Sequence, residues 1–161
     1  MMPDSALIDT SFFLRFLNEK DPLFKNADGY YHYFLEKEIS MVISTISVAE
    51  FCVLGTVDEL PLKNLQILPF NLSHSKKAGE FARIIFEAKK EGLLDSTERI
   101  LIPNDTKLFA QADTEINIKY FVTSDTRSIK LFDLLKEKIT TRFQIIDINQ
   151  NHTETFGTLD L

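Results

Sequence analysis

The stretch Ala6-Leu7-Ile8-Asp9-Thr10-Ser11 decides the fold. Its first three residues form a short apolar run that predicts a buried strand, and the run ends in the carboxylate of Asp9. The next six residues, Phe12-Phe13-Leu14-Arg15-Phe16-Leu17, predict a helix. Because ligands of open α/β sheets bind at the carboxyl ends of strands, Asp9 is a candidate site residue. The alternative is that Asp9 is only an N-cap, which accepts a hydrogen bond from the first helical turn.

Strands and helices alternate along the rest of the sequence. Further strands are predicted at residues 41–43, 65–70, 120–125 and 143–147, with a short apolar run at residues 100–102. Helices are predicted over residues 10–19, 27–38, 46–57, 73–91 and 126–137, and from residue 104 onward. Gly92 is placed behind the fourth helix, a loop follows over residues 93–99, and Pro69 indicates an edge position for the third strand. The alternation predicts a three-layer α/β/α fold with a central parallel sheet in one domain, residues 1–149, followed by a tail, residues 150–161.

The composition excludes several classes of protein. The 161 residues carry a formal net charge of −6, and no apolar run is long enough to cross a bilayer. The N-terminus lacks the features of a signal peptide, so a cytoplasmic location is expected. A single cysteine, Cys52, excludes an internal disulfide and a cysteine-rich zinc site, and a small buried side chain is expected there. The three histidines lack ligand spacing, so a surface or capping role is expected for each. The negative charge argues against broad nonspecific nucleic-acid binding, which needs phosphate-neutralising Lys and Arg.

Four acidic residues share one kind of position in the predicted sheet. Asp9 ends the first strand, and Glu50 lies in the first turns of the helix after the second strand. Asp105 opens the helix that leads into the fourth strand, and Asp125 ends that strand. Each has an alternative explanation as a cap, and for Glu50 this is a capping box with Ser47. Four such placements on separate elements predict that the carboxylates converge.

Converging carboxylates have a chemical consequence. Their mutual repulsion raises pKa values and destabilises the fold unless a cation offsets it. Mg²⁺ and Mn²⁺ are the divalent ions that prefer such oxygen ligands, and Mg²⁺ keeps waters beside one or two carboxylates. This arrangement is typical of metal-assisted phosphodiester hydrolysis, in which a water is the nucleophile.

The same residues carry a resemblance to a known family. The ordered pieces are Leu7-Ile8-Asp9-Thr10-Ser11, Ser44-Thr45-Ile46-Ser47-Val48-Ala49-Glu50-Phe51, Asn104-Asp105-Thr106-Lys107-Leu108-Phe109-Ala110-Gln111-Ala112 and Phe121-Val122-Thr123-Ser124-Asp125. In this order they resemble the PIN-domain proteins, and most of all the VapC-type toxin ribonucleases of bacterial toxin–antitoxin pairs. The resemblance covers residues 6–148 at the level of element order.

The resemblance implies a function and a set of site residues. It implies a PIN-like fold with a parallel sheet of about five strands and an endoribonuclease that depends on Mg²⁺ or Mn²⁺. The implied catalytic acids are Asp9, Glu50, Asp105 and Asp125, of which the three aspartates hold the metal. Thr123 matches a family hydroxyl that supports the site, and Thr10 is given the same role. The implied partners are an RNA such as a tRNA, an antitoxin protein and a second copy of the chain.

Three basic residues and three alternative functions complete the sequence-based predictions. Arg15, Lys107 and Arg127 lie close to the proposed acids and are candidates for contact with RNA phosphates. One alternative function is a catalytically silent PIN-fold module for RNA binding or scaffolding, and another is a PIN nuclease of RNA processing rather than a toxin. A phospho-accepting receiver domain is disfavoured because the third strand ends in Leu68-Pro69-Phe70-Asn71, without an acceptor Asp.

Overall fold

The computed structural model describes residues 2–89 and 102–157. The described residues form five β-strands, seven α-helices and two short 3₁₀ turns. The strands are β1 (Ser5–Ile8), β2 (Ser40–Ser44), β3 (Leu65–Leu68), β4 (Ile118–Thr123) and β5 (Gln144–Asp147). The helices are α1 (Thr10–Phe16), α2 (Phe24–Glu36), α3 (Thr45–Phe51), α4 (Leu72–Ala88), α5 (Asn104–Thr114), α6 (Thr126–Lys136) and α7 (His152–Phe156). The predicted helix end at Gly92, the loop over residues 93–99 and most of the apolar run at residues 100–102 lie outside the described residues, as does the end of the predicted tail.

The strands form one parallel sheet in the order β3-β2-β1-β4-β5. The first strand lies at the centre, and all four of its residues are buried. The third strand lies at an edge and is only half-buried, as Pro69 indicated. The predicted α/β fold with a central five-stranded parallel sheet is therefore confirmed.

The side chains of the central strands alternate between two hydrophobic cores. Ala6 and Ile8 face one core with aromatic residues of α1 and α2, whereas Leu7 faces the other with Phe109 and Phe121. This alternation follows from the period of two in a strand. The second core also packs α4, α5 and α6, so helices cover both faces of the sheet.

The start of α3 differs from the prediction in a way that matters for the site. Ser44 is the N-cap, and its hydroxyl accepts a hydrogen bond from the backbone N–H of Ile46. Because the helix begins at Thr45, Ser47 lies inside it, and the predicted capping box between Ser47 and Glu50 is wrong. The helix also ends at Phe51 instead of near residue 57, which leaves Cys52 exposed rather than buried.

A buried histidine fastens the beginning of α4 to the end of α5. The ring Nδ1 of His74 accepts the backbone N–H of Asn71, and Asn71 Oδ1 accepts the backbone N–H of His74. Since Nδ1 is an acceptor, the ring proton lies on Nε2, which donates to Glu115 Oε1 at 2.9 Å. We call Asn71, His74 and Glu115 the histidine cluster. It confirms a capping role for His74.

Residues 150–157, to which the sequence analysis assigned no element, pack on α2. The rings of Tyr33 and Phe156 stack with their centroids 4.3 Å apart, and the Tyr30 hydroxyl donates to the carbonyl of Gln150. A Cβ on Gly29 would lie 2.7 Å from the His152 ring, so any larger residue there would displace that ring from its place against α2. Within residues 2–89 and 102–157, no helix is long and apolar enough to span a bilayer.

Candidate functional site

The four predicted acids line one open pocket of about 600 Å³ at the carboxyl end of the sheet. Asp9 follows β1, Asp125 is the N-cap of α6 after β4, and Asp105 lies in the first turn of α5. Glu50 lies on α3, which begins directly after β2. Because β2, β1 and β4 are parallel neighbours, the chain segments behind them meet at one edge of the sheet. The structure thus brings together all four acids that the sequence pattern singled out.

Two hydroxyl groups hold the carboxylate of Asp9. Ser11 Oγ donates to Asp9 Oδ2 at 2.9 Å, and Thr123 Oγ1 donates to the same oxygen at 2.8 Å. The side chain of Asp9 makes no capping hydrogen bond to α1, although the residue occupies the N-cap position. The structure therefore does not show the side-chain cap that the alternative explanation of Asp9 requires, and it places the Thr123 hydroxyl in contact with the Asp9 carboxylate.

The carboxylate of Glu50 is held by the other predicted support residue. Thr10 Oγ1 lies 3.3 Å from Glu50 Oε1 and 3.2 Å from the carbonyl oxygen of Ser47, and it can donate to either. This contact joins the start of α1 to α3 across 40 residues of sequence. Glu50 itself is exposed on the pocket side of α3.

The pocket holds several partly buried groups of the same charge, and the pKa values of two of them are raised. Burial raises the pKa of Asp9, and the charge of Glu50 raises it further, while hydrogen bonds from the hydroxyls of Thr123 and Ser11 and from the backbone of Thr10 act in the opposite direction. Burial likewise raises the pKa of Asp105 to about 7, with contributions from the charges of Asp9, Asp125 and Glu50. Perturbed carboxylates in a cleft are characteristic of functional sites rather than of surface caps.

The three predicted RNA contacts differ in their positions. Arg127 lines the pocket with its side chain 88% exposed, and its Nε lies 3.6 Å from Asp125 Oδ1. The Nζ of Lys107 lies beside the pocket, 3.5 Å from Asn104 Oδ1. Arg15 does not join them, because its guanidinium forms a 2.8 Å ion pair with Asp21. Although Arg15 is close to Asp9 in sequence, it is not among the residues that line the pocket.

Four residues of the pocket were not predicted from the sequence. Ser11 contacts Asp9, and Leu14, Asn104 and Leu131 complete the lining. Ser11 and Asn104 lie within the quoted motifs, and their adjacency to Asp9 and Asp105 was the available signal. Leu14 and Leu131 carried no signal, since an apolar residue on a helix is indistinguishable from a core residue in a single sequence.

The donor set suits a hard divalent cation. Within residues 2–89 and 102–157, no three acidic, His or Cys side chains are already close enough together to ligate an ion. Mg²⁺ takes only one or two protein carboxylates directly and fills the remaining positions with water, so a tight cluster is not required. The carboxylate oxygens of Asp9, Asp105 and Asp125 around one pocket meet that requirement, and their repulsion would be offset by a cation.

Comparison with known proteins supports the fold. No family model matches the sequence, and no curated protein sequence matches it. Among solved structures, FitAB bound to an IR36 DNA fragment has a TM-score of 0.60 at 18% identity, over 90% of this chain and 96% of that one. VapBC2 from Rickettsia felis, bound to a DNA fragment from its promoter, has a TM-score of 0.58 at 21% identity, over 89% and 98%. The sarcin-ricin loop cleaving toxin VapC20 from Mycobacterium tuberculosis has a TM-score of 0.51 at 14% identity, over 78% and 93%. The chain therefore has the PIN-domain fold, and the predicted resemblance is confirmed at that level.

Proposed function

We propose that the protein is a divalent-metal-dependent endoribonuclease that hydrolyses RNA phosphodiester bonds, and that it is the toxin of a toxin–antitoxin pair. The observation that carries the proposal is the convergence of Asp9, Glu50, Asp105 and Asp125 from four separate elements on one pocket. Among the described residues that line the pocket, only Arg127 is positively charged. A fold that needed these residues only as helix caps would not require them to face one another.

Three of these acids would hold the ion. Asp9, Asp105 and Asp125 would bind Mg²⁺ or Mn²⁺ through carboxylate oxygens. When bound, such an ion lowers the pKa of a coordinated water and stabilises the charge that develops on the phosphoryl group. The raised pKa of Asp105 means that this carboxyl is partly protonated near neutral pH before a cation arrives. It would release that proton when a cation binds.

Glu50 and the hydroxyl residues complete the chemistry that the chain itself provides. Glu50 would accept a proton from the attacking water, and Thr10 Oγ1, 3.3 Å from Glu50 Oε1, helps to position that carboxylate. Ser11 and Thr123 fix the orientation of Asp9. Fixed orientation matters because a carboxylate that rotates freely must be ordered again at each cycle.

The charge distribution favours a shaped RNA substrate. A net charge of −6 weakens indiscriminate affinity for RNA, and the acidic pocket repels phosphate until a cation is bound. Arg127 at the pocket and Lys107 beside it are the groups positioned to contact phosphates. We therefore propose cleavage of one or a few structured RNAs, such as a tRNA, within a single-stranded loop.

An antitoxin partner is proposed by analogy with the VapBC and FitAB structures. The surface beside the pocket supports a protein partner, because Leu14 lines the pocket and is 57% exposed. Leu17, which follows α1, is exposed as well, as are Val53 and Leu54 just after α3. Exposed apolar residues mark an interaction surface where they form one contiguous patch. A homodimer is proposed on the resemblance alone.

The test is incubation of the purified protein, free of any partner, with total RNA and Mn²⁺, followed by mapping of new 5′ ends. Cleavage at a few sites, abolished by a chelator and by Asp9→Asn, is expected. Uniform degradation of all RNA would contradict the selective substrate. Bound Mn²⁺ without any cleavage would favour the silent PIN-fold module. A neighbouring reading frame for a small protein with a DNA-binding start would favour a toxin over an RNA-processing nuclease.

A further inference from the structure

The hydrogen bonds around Asp9 have fixed directions. The backbone N–H of Ser124 donates to Ser11 Oγ at 3.0 Å, and the backbone N–H of Asp125 donates to Thr123 Oγ1 at 3.0 Å. A hydroxyl has a single proton to donate. Since a backbone N–H can only donate, each hydroxyl accepts there and keeps its own proton for another partner. That partner is Asp9 Oδ2, which lies within 2.9 Å of both hydroxyl oxygens.

The two hydroxyls could also bond to each other, but the carboxylate of Asp9 is the stronger acceptor. Ser11 Oγ and Thr123 Oγ1 are 3.2 Å apart, so one could donate to the other. A carboxylate oxygen is the stronger acceptor, because a hydrogen bond to a charged group is shorter and about twice as strong as one between neutral groups. We call Ser11 and Thr123 the hydroxyl clamp. Both side-chain hydrogen bonds reach Oδ2, and neither reaches Oδ1.

The clamp also connects two acids that are far apart in sequence. Ser11 belongs to α1, two residues after Asp9, and it binds the backbone of Ser124, the residue before Asp125. The side chain of Asp9 and the backbone that carries Asp125 are therefore held by the same hydroxyl. A change at Ser11 alters the position of one carboxylate relative to the other.

We propose that Ser11 is a positioning residue of this site, an inference that rests on the proposed metal-dependent function. Together with Thr123 it occupies Asp9 Oδ2, so that Oδ1 is the oxygen offered to a divalent cation. It also keeps the segment of Asp125 in register with Asp9. Hydrogen-bonding partners of metal ligands affect metal affinity by about 10- to 100-fold when they are removed.

The experiment measures Mn²⁺ binding to the full chain by calorimetry, and the free Mn²⁺ by electron paramagnetic resonance. Ser11→Ala is expected to weaken the Kd for Mn²⁺ about tenfold. Ser11→Thr keeps the hydroxyl and is expected to restore the affinity to within about twofold of wild type. The matched control is Ser128→Ala. Ser128 is fully buried in the first turn of α6 and its hydroxyl has no partner among the described residues, so the affinity should not change.

RNA cleavage provides a second readout that a general loss of stability would not reproduce. At Mn²⁺ well below the Kd, Ser11→Ala should cut about tenfold more slowly than wild type, whereas saturating Mn²⁺ should restore most of the rate. A defect that persists at saturating Mn²⁺ with an unchanged Kd would overturn the positioning role. Melting temperatures of all variants establish that each is folded at the assay temperature.

The outcomes separate this inference from the proposed function. If wild type and Ser11→Ala bind Mn²⁺ equally well, the role of Ser11 is refuted and the nuclease proposal is untouched. If Ser11→Ala binds more weakly, Ser11→Thr is restored and no RNA is cut, the positioning role stands and the nuclease proposal fails. Equal weakening by Ser128→Ala would refute the role of Ser11, and a wild type that binds no Mn²⁺ would refute both.

Discussion

The acidic pocket and the histidine cluster are two polar regions of one small fold, built on opposite principles. In the histidine cluster, Asn71, His74 and Glu115 pair donors with acceptors. In the pocket, carboxylates face carboxylates, and the pKa of Asp105 rises to about 7. The first arrangement stabilises the fold, because buried polar groups with partners no longer carry an unbalanced desolvation cost. The second destabilises the fold in the absence of a cation, which agrees with the functional role proposed for these acids.

The largest expected effect is on catalysis. Asp9→Asn and Asp125→Asn should each lower RNA cleavage at least about a hundredfold, because each removes a proposed metal ligand. Both variants should fold, since the amide oxygen introduced by Asp9→Asn can still accept from the hydroxyl clamp, and asparagine is a good N-cap for α6. In a chelator, Asp9→Asn should melt higher than wild type because it relieves repulsion. The matched control is Asp133→Asn, on the exposed side of α6. A metal-free melting temperature that falls on Asp9→Asn would show that Asp9 is a structural cap.

The reverse result is expected in the histidine cluster. His74→Ala should lower the free energy of unfolding by about 2–4 kcal/mol, because it removes a helix cap, a hydrogen bond to Glu115 and a fully buried ring. RNA cleavage by the folded fraction should be unchanged. Chemical denaturation measures the loss, and Glu115→Gln, which keeps an acceptor for Nε2, should lose less. If His74→Ala leaves stability unaltered, the contrast between the two regions is wrong.

The pH dependence of stability sharpens the same contrast. The folded protein binds a proton at Asp105 near pH 7, whereas the unfolded chain does so near the ordinary value of 3.8. Above pH 7 the charged form of Asp105 lowers the free energy of unfolding by its full amount. This loss of stability decreases as the pH falls from 7 toward 4, because the folded protein binds a proton that the unfolded chain does not. With a chelator present, the wild-type protein should melt about 3 °C or more higher at pH 5 than at pH 8. Asp105→Asn should melt higher at pH 8 and show a flatter profile. A wild-type melting temperature that falls over this range would count against the raised pKa.

The smallest expected effect concerns Arg127, the positively charged residue at the pocket. Arg127→Ala should slow RNA cleavage roughly two- to fivefold, since an exposed charge contributes up to about 1 kcal/mol. Stabilisation by Mn²⁺ should persist. Arg83→Ala, which removes an exposed arginine of α4, is the control for net charge. Arg15→Ala should have less effect than Arg127→Ala, because Arg15 is paired with Asp21. Equal effects of all three variants would indicate that only net charge matters.

The sequence predicted the elements of the fold and the four acids, because both depend on local patterns. Apolar runs that end in polar residues define β1, β2 and β4, and the sheet then brings their ends together. Contacts between distant residues could not be predicted in this way. The hydrogen bond from the Ser124 N–H to Ser11 spans 113 residues, and the partner of Arg15 is decided by the turn after α1.

Short elements could not be predicted from local sequence patterns either. The beginning of α3 at Thr45 depends on a cap by Ser44, and two hydroxyls in a row leave the choice of cap open. The five residues of α7 are too few to establish a period, and the helix is stabilised by the rings of α2.

The packing of α7 on α2 has a consequence for the newly made chain. The Tyr30 hydroxyl and the Gln150 carbonyl that it binds are 120 residues apart. A ribosome adds about 5–20 residues per second, so roughly 6–24 seconds pass between the synthesis of α2 and the synthesis of the segment that packs on its aromatic face. Over that interval Tyr33 and Phe34 lack the Phe156 ring against which they finally pack. The nascent chain therefore exposes aromatic surface that α7 covers in the finished protein.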